Sequence, residues 1–327
     1  MKKALLSMHV AVLLWGFTGV LGRAISLDFP VLVWYRMLLT AIMIAIIISF
    51  RKGWKPVVPK DKITLMGVGV LMALHWVAFY GAIKFANASV ALVCLSTASI
   101  FTSLLDPLIN KSRWYPSELL LGAFTLSGVF FIYFLDSKPK NISGEHGITS
   151  AGLILGVTAA ILSAVFTVLN KRVAAKYPAR VMVFWEMSTG WIFISIAIGL
   201  MLLLGGEHWL LNPAHLHGSE AVHLQWMPMG LDWLWMLILV LCCTVWGQSL
   251  ALTALKKLSS FTATLSVNLE PIYGIILAFI FYHENEELGR GFYIGVAIIL
   301  TSVGLQMLRM LRPKMSGGLI QEKGGID

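Results

Sequence analysis

The sequence predicts an all-α polytopic membrane protein of ten transmembrane helices in two inverted five-helix repeats. Three observations carry that prediction. The 327 residues are 58% hydrophobic and 13% charged, with a mean hydropathy of +0.81, whereas soluble domains keep about a quarter of their residues charged. Apolar stretches of ~20 residues, enough to cross a ~30 Å hydrocarbon layer, recur along the whole chain. When the chain is threaded back and forth through them, the basic residues collect on one side.

In order, the spans are expected at 5–24, 31–50, 63–83, 88–109, 116–135, 150–170, 181–204, 231–254, 259–282 and 288–308. Runs such as Val31 to Phe50 are apolar on every side, as contact with lipid requires. Met1-Lys2-Lys3 before the first run resembles the start of a signal peptide, but no clear small-x-small cleavage site follows, so the run reads as an uncleaved span. The longest connection, 205–230, has room for an interfacial segment.

Of the 25 Lys and Arg, nineteen fall on the side of the N-terminus, among them Lys2, Arg51, Lys60, Lys171, Lys176, Lys256 and Arg312. The other side receives Arg23, Lys84, Lys138, Lys140 and Arg290. Both termini are therefore expected in the cytoplasm, and the net charge of +9 is explained by insertion without invoking nucleic acid. Cys94, Cys242 and Cys243 lie in apolar runs and suggest no disulfide framework.

Two halves of five spans face opposite ways, and the chain repeats weakly at that spacing. "AVLLWGFTGVLGR" lies over "AAILSAVFTVLNK", "VWYRM" over "VFWEM", and "AIKFANASVA" over "ALKKLSSFTA", always in the same order. The expected organisation is a first repeat at 1–138, a connector at 139–149, a second repeat at 150–310 and a tail at 311–327. Inverted halves of this kind place a pathway at their interface near the bilayer midplane.

The segment "ALKKLSSFTATLSVNLEPIYGIILAFIFYHENEELGRGFYIGVAIILTSVG", its first-half counterpart "GAIKFANASVALVCLSTASIFTSLLDPL" and the second-span "VWYRMLL" resemble the EamA-like branch of the drug/metabolite transporter superfamily. The likeness runs from Leu5 to Leu308, departing where Ser99 stands opposite Pro271 and in the long 205–230 connection. It implies ten helices in two five-helix repeats, and export or exchange of small metabolites, often amino acids.

The candidate pathway residues follow from charge and polarity inside the membrane. Glu270 is about eleven residues into its span, ~17 Å from the inner edge, where a lipid-facing carboxylate costs at least ~2.5–3.5 kcal/mol. It reads either as a substrate-ammonium or proton site or as an interhelical link holding a helix kinked at Pro271, and Asn268 on the same turn serves both readings. Arg36 is placed to fix a carboxylate or phosphate in the pathway or a gate, or else to snorkel, and Glu186, its repeat mate, to sit in a cytoplasmic gate or a salt bridge. Inverted topology makes Arg36 and Glu186 counterparts, not partners. His75, Trp76 and Tyr80 offer a titratable ring and flat apolar walls, or simply packing. Gln248 and Trp246 occupy the matching region of the eighth span, and Trp15, Thr18, Ser96 and Trp185 are further lining candidates.

Lys84 and Lys256 read as interfacial anchors, Asp106 as locally paired, and His208, His215, His217 and His223 as a wetted loop, with no metal site expected. Gly291-x-x-x-Gly295 fits close helix packing. Walker, H-E-x-x-H and nucleophile-elbow motifs are absent, so no catalytic residue or cofactor is expected. The expected function is a secondary transporter or facilitator of small polar or zwitterionic metabolites. A polytopic membrane enzyme, a lipid-processing protein, a pore and a transporter of nucleotide-linked, phosphorylated or lipophilic cationic compounds stay open beside it. Expected partners are a small-molecule metabolite, membrane lipid and a proton, but not nucleic acid; the oligomeric state is not legible.

Overall fold

A computed structural model of the chain describes residues 2–111, 114, 116–136, 150–204, 225–258, 260–267 and 269–311. The expectations for Asn268, for the four loop histidines, for the 139–149 connector and for the tail beyond 311 fall outside these residues.

The described chain is helical, with no strand among the described residues. Its first helices are α1 (Lys2–Ala24), α2 (Phe29–Phe50) and α3 (Pro59–Phe85), followed by the short pair α4 (Ala88–Leu95) and α5 (Ala98–Asn110), then α6 (Pro116–Asp136). The rest comprises α7 (Ser150–Ala174), α8 (Ala179–Leu203), α9 (Asp232–Ile238), a π-helical segment (Leu239–Trp246), α10 (Gly247–Leu255), α11 (Ser260–Val267), α12 (Glu270–Tyr282), α13 (Glu284–Glu287) and α14 (Arg290–Leu311). Seven stretches are long and apolar enough to cross a membrane, and Leu119–Ile132, Glu270–Tyr282 and Arg290–Ser302 add shorter apolar helices. Proline supplies several starts: α2 and α3 carry it in the first turn, where its missing N–H costs nothing.

Three expected spans are not uninterrupted α-helices. The fourth breaks between Leu95 and Ala98, where the Ser96 and Thr97 hydroxyls turn back onto the carbonyls of Val93 (2.6 Å) and Cys94 (2.7 Å). The ninth breaks ahead of Glu270-Pro271, so that Glu270 opens α12. The eighth contains the π segment. Hydroxyl groups and proline thus do the same work at the two breaks, by satisfying or removing backbone partners of the helix ladder.

Helix packing brings these irregular stretches together. α3 lies along α7 and α8, α2 along α8, and α4 and α5 against α7. On the other side α1 runs along α10 and α12 and touches the π segment, which also meets α2. α6 and α14 form a long pair whose backbones approach at Gly128 and Gly295: a Cβ on Gly128 would sit 2.7 Å from the Gly295 carbonyl oxygen. α3 and α8 cross in the same manner at Gly69 and Gly190, where a Cβ on Gly190 would sit 2.7 Å from the Gly69 oxygen. In lipid such close approach replaces the hydrophobic drive that water would supply.

Candidate functional site

Between these helices lies a cavity of ≈ 90 Å³. Arg36 of α2, His75 and Trp76 of α3, and Glu270 at the start of α12 line it together. Trp15 and Thr18 of α1 and Gln248 of α10 line it as well.

Arg36 is 2% exposed, so its guanidinium does not snorkel. Its Nε donates to the Thr244 hydroxyl (2.9 Å) and its Nη1 to the Tyr80 hydroxyl (2.7 Å), while its plane lies 3.8 Å from the centre of the Trp76 ring. A planar fork with five donors accepts this arrangement and keeps Nη2 without a partner among the described residues. The acceptor depends on the π segment. Thr244 passes its own proton to the carbonyl of Leu239, five residues back (3.0 Å), leaving its oxygen lone pair toward Arg36. The same segment turns the Cys243 carbonyl to the Trp15 indole N–H (2.9 Å). Wide turns of this type recur at functional sites because they redirect backbone groups.

Glu270 is 5% exposed, and its carboxylate makes no hydrogen bond among the described residues. Arg36 supplies the opposing charge from across the cavity. Its position as first residue of α12 also places it at the positive end of a half-helix dipole. His75 Nδ1 lies 2.7 Å from the Ala159 carbonyl oxygen. A carbonyl only accepts, so Nδ1 carries the hydrogen and Nε2 is left to face other chemistry. Phe166 meets the imidazole edge to face at 5.4 Å.

Glu186 of α8 is fully buried beside this cavity. Its polar neighbours are Asn170 and Gln248, both cavity-lining, yet neither is placed for a well-formed hydrogen bond to either carboxyl oxygen. The Gln248 amide is turned to the Met72 sulfur instead (3.9 Å). Nor does Lys171 reach Glu186: its ammonium group donates to the carbonyls of Leu255 (2.8 Å) and Leu258.

Four residues expected in the wall stand elsewhere. Tyr80 acts from behind, through Arg36. Ser96 is spent on its own helix break. Trp185 packs beneath the Lys62 ammonium, 4.1 Å from the ring centre. Trp246 is 65% exposed and faces outward, because a residue two positions before Gln248 lies ~200° round a helix from it. Sequence reasoning missed Thr244 and Asn170. Ser163, Phe166, Thr167 and Asn170 form an i, i+3, i+4, i+7 stripe on α7, a signal that would have found the last of these.

The end of the bundle away from the basic residues is held by polar contacts. Glu284 accepts from Arg23 (2.6 Å), from the Ser89 hydroxyl (2.5 Å) and from the Ser89 amide (3.0 Å), closing the start of α4. Asp232 accepts from the Ser26 hydroxyl (2.5 Å) and from the Met229 amide (3.0 Å). At the basic end Lys176 (2.9 Å) and the Tyr177 hydroxyl (2.8 Å) converge on Asp61.

The profile of the EamA-like transporter family matches residues 2–134 and 150–308. A Salmonella typhimurium protein named "Uncharacterized inner membrane transporter YicL" is 27% identical over 203 residues, covering 59% of this chain and 65% of the relative. The match thus spans a little under two thirds of that relative's length. An "Uncharacterized transporter" of Archaeoglobus fulgidus is 23% identical over 281 residues, covering 84% of this chain and 86% of the relative. One crystal structure, at 16% identity, superposes with a TM-score of 0.61 over 96% of this chain and 100% of that one, a likeness of fold. The chain belongs to the EamA-like transporter family of the drug/metabolite transporter superfamily.

Proposed function

We propose that the chain is a secondary transporter or facilitator that moves small polar or zwitterionic metabolites, amino acids above all, by alternating access and without altering them chemically. One observation carries the reading. Arg36 and Glu270, of opposite charge, line a single cavity walled by Trp15 and Trp76. A carboxylate suits the unused Nη2 of Arg36, an ammonium suits Glu270, and the rings accept the apolar remainder. In the absence of a ligand, a proton on Glu270 is the candidate coupling ion.

The proposed architecture is ten spans in two inverted repeats, at 1–138 and 150–310. Its support is the pattern of contacts. Exchanging the first five spans for the last five turns the α1 contacts with α10 and α12 into the α7 contacts with α3 and α5, and maps the α2–α8 and α6–α14 pairs onto themselves. The two broken spans also correspond. Arg36 and Glu186 then serve as counterpart gate residues, one in each half. The cavity lining reaches Met8, Leu255 and Ala263, towards the basic end, while the opposite end is tied by Glu284 and Asp232. Export, an inner-membrane location and cytoplasmic termini complete the proposal, supported by the distribution of Lys and Arg and by the name of the Salmonella relative.

The test is counterflow in proteoliposomes with a pool of radiolabelled amino acids. Trans-stimulated uptake that falls in Glu270→Gln and His75→Ala supports the reading. No exchange of any pool member, or a chemically altered ligand in detergent, overturns it.

A further inference from the structure

A second concavity, of ≈ 920 Å³, lies on the outside of the bundle and is unrelated to the ligand cavity. It opens between α2, the start of α8, the π segment and α10, and its lining is divided by chemistry. One stretch is apolar: Ile44 and Ile47 of α2 face Val245, Trp246 and Leu250. The other end carries Arg51, Lys55, Arg180 and Lys256, with no Asp or Glu among the described lining residues. None of these four cations has a side-chain partner among the described residues. Among the described residues Trp246 is 65% exposed and presents a large, mostly uncovered ring.

From Trp246 to Lys256 the helix climbs ten residues, or about 15 Å. That is half the thickness of a ~30 Å hydrocarbon layer, the reach of one leaflet. We propose that this groove is a binding site for an anionic phospholipid of the leaflet at the basic end, its phosphate held by Arg51, Lys55, Arg180 and Lys256 and an acyl chain lying along Ile47, Trp246 and Leu250. The charge complementarity selects the occupant: four cations unpaired among the described residues, above an apolar slot, match an anionic headgroup joined to a chain, and neither a second apolar helix nor a zwitterionic lipid would neutralise them. The site does not depend on what the central cavity carries.

The protein reconstituted in phosphatidylcholine vesicles, with a minor fraction of either brominated phosphatidylglycerol or brominated phosphatidylcholine, provides the test. Quenching of Trp246, taken as the difference from Trp246→Phe, is expected at a severalfold lower mole fraction of the brominated phosphatidylglycerol. Removing headgroup contacts in Arg51→Gln/Arg180→Gln is expected to raise the half-quenching fraction about fivefold for each charge. Lys60→Gln/Lys257→Gln, with the same charge change outside the groove, is expected to leave it unchanged. Equal quenching by the two lipids overturns the proposal, and so does an equal shift in the two double variants. Relief of quenching by water-soluble glycerophosphoglycerol would identify a free-phosphate site and overturn it too.

Discussion

Glu186 brings two buried oxygens to a place where no described residue donates to them, and the Asn170 side-chain oxygen beside it is equally unmatched. Buried oxygens left without donors are destabilising, and an amide in place of the acid would remove one unmatched acceptor and offer an N–H to the Asn170 oxygen. Glu186→Gln is therefore expected to raise the thermal unfolding midpoint, with a gain of about 1–3 kcal/mol; a lower midpoint would refute the geometry. Arg36→Lys carries the opposite expectation. A single ammonium cannot reproduce the fork that reaches Thr244 and Tyr80 together, so counterflow should fall about tenfold to a hundredfold while the protein stays folded, as read by gel filtration. Much of this scale was legible before folding: seven residues named from the sequence line the cavity, because charge and imidazole are conspicuous in an apolar chain. Trp246, Trp185 and Ser96 were misplaced for want of rotational information. A span's sequence gives the depth of a side chain, while its direction depends on helix phase.

The elements owe their positions to small residues and to interruptions. Gly128 and Gly295 let α6 and α14 meet backbone to backbone, and the Thr125 and Ser302 hydroxyls bond across the same seam (2.8 Å). Gly128→Val is expected to push the pair apart and to lower the unfolding midpoint of the purified protein by the equivalent of about 1–3 kcal/mol. Glu284→Gln should remove both the charge opposite Arg23 and the strongest acceptor at the start of α4, costing roughly 2–3 kcal/mol by the same assay. Helix existence and approximate ends were readable because the ~20-residue apolar run is imposed by the bilayer. The break at Glu270-Pro271 was foreshadowed by its proline. That at Ser96-Thr97 was not, since hydroxyls break a helix only when the surrounding packing turns them inward. The π segment has no compositional mark at all: "LVLCCTVW" would serve equally well as α-helix.

At the scale of the molecule, the alternation of sides can be tested directly. In a chain whose three cysteines are replaced by serine, a cysteine introduced at Gln225 should react with an impermeant maleimide added outside intact cells. One introduced at Lys257 should react only after permeabilisation. Reaction of both from the same side would exclude the proposed threading. The proposed threading rests on the arrangement of Lys and Arg, because translocation acts on charge and leaves its record in the sequence. The volume of the central cavity left no such record, being set by how helices distant in sequence tilt against one another.

The wide turn at 239–246 also has a mechanical meaning. One face of it grips Arg36 and Trp15, and the other turns the exposed Trp246 ring outward. If it tightened to ordinary α pitch by passing its extra residue to the neighbouring helix, the stretch between would swivel by about 100°. Thr244 would release the guanidinium while Lys256 swung away from its leaflet. Any change of pitch in this one segment would therefore be felt on both of its sides at once.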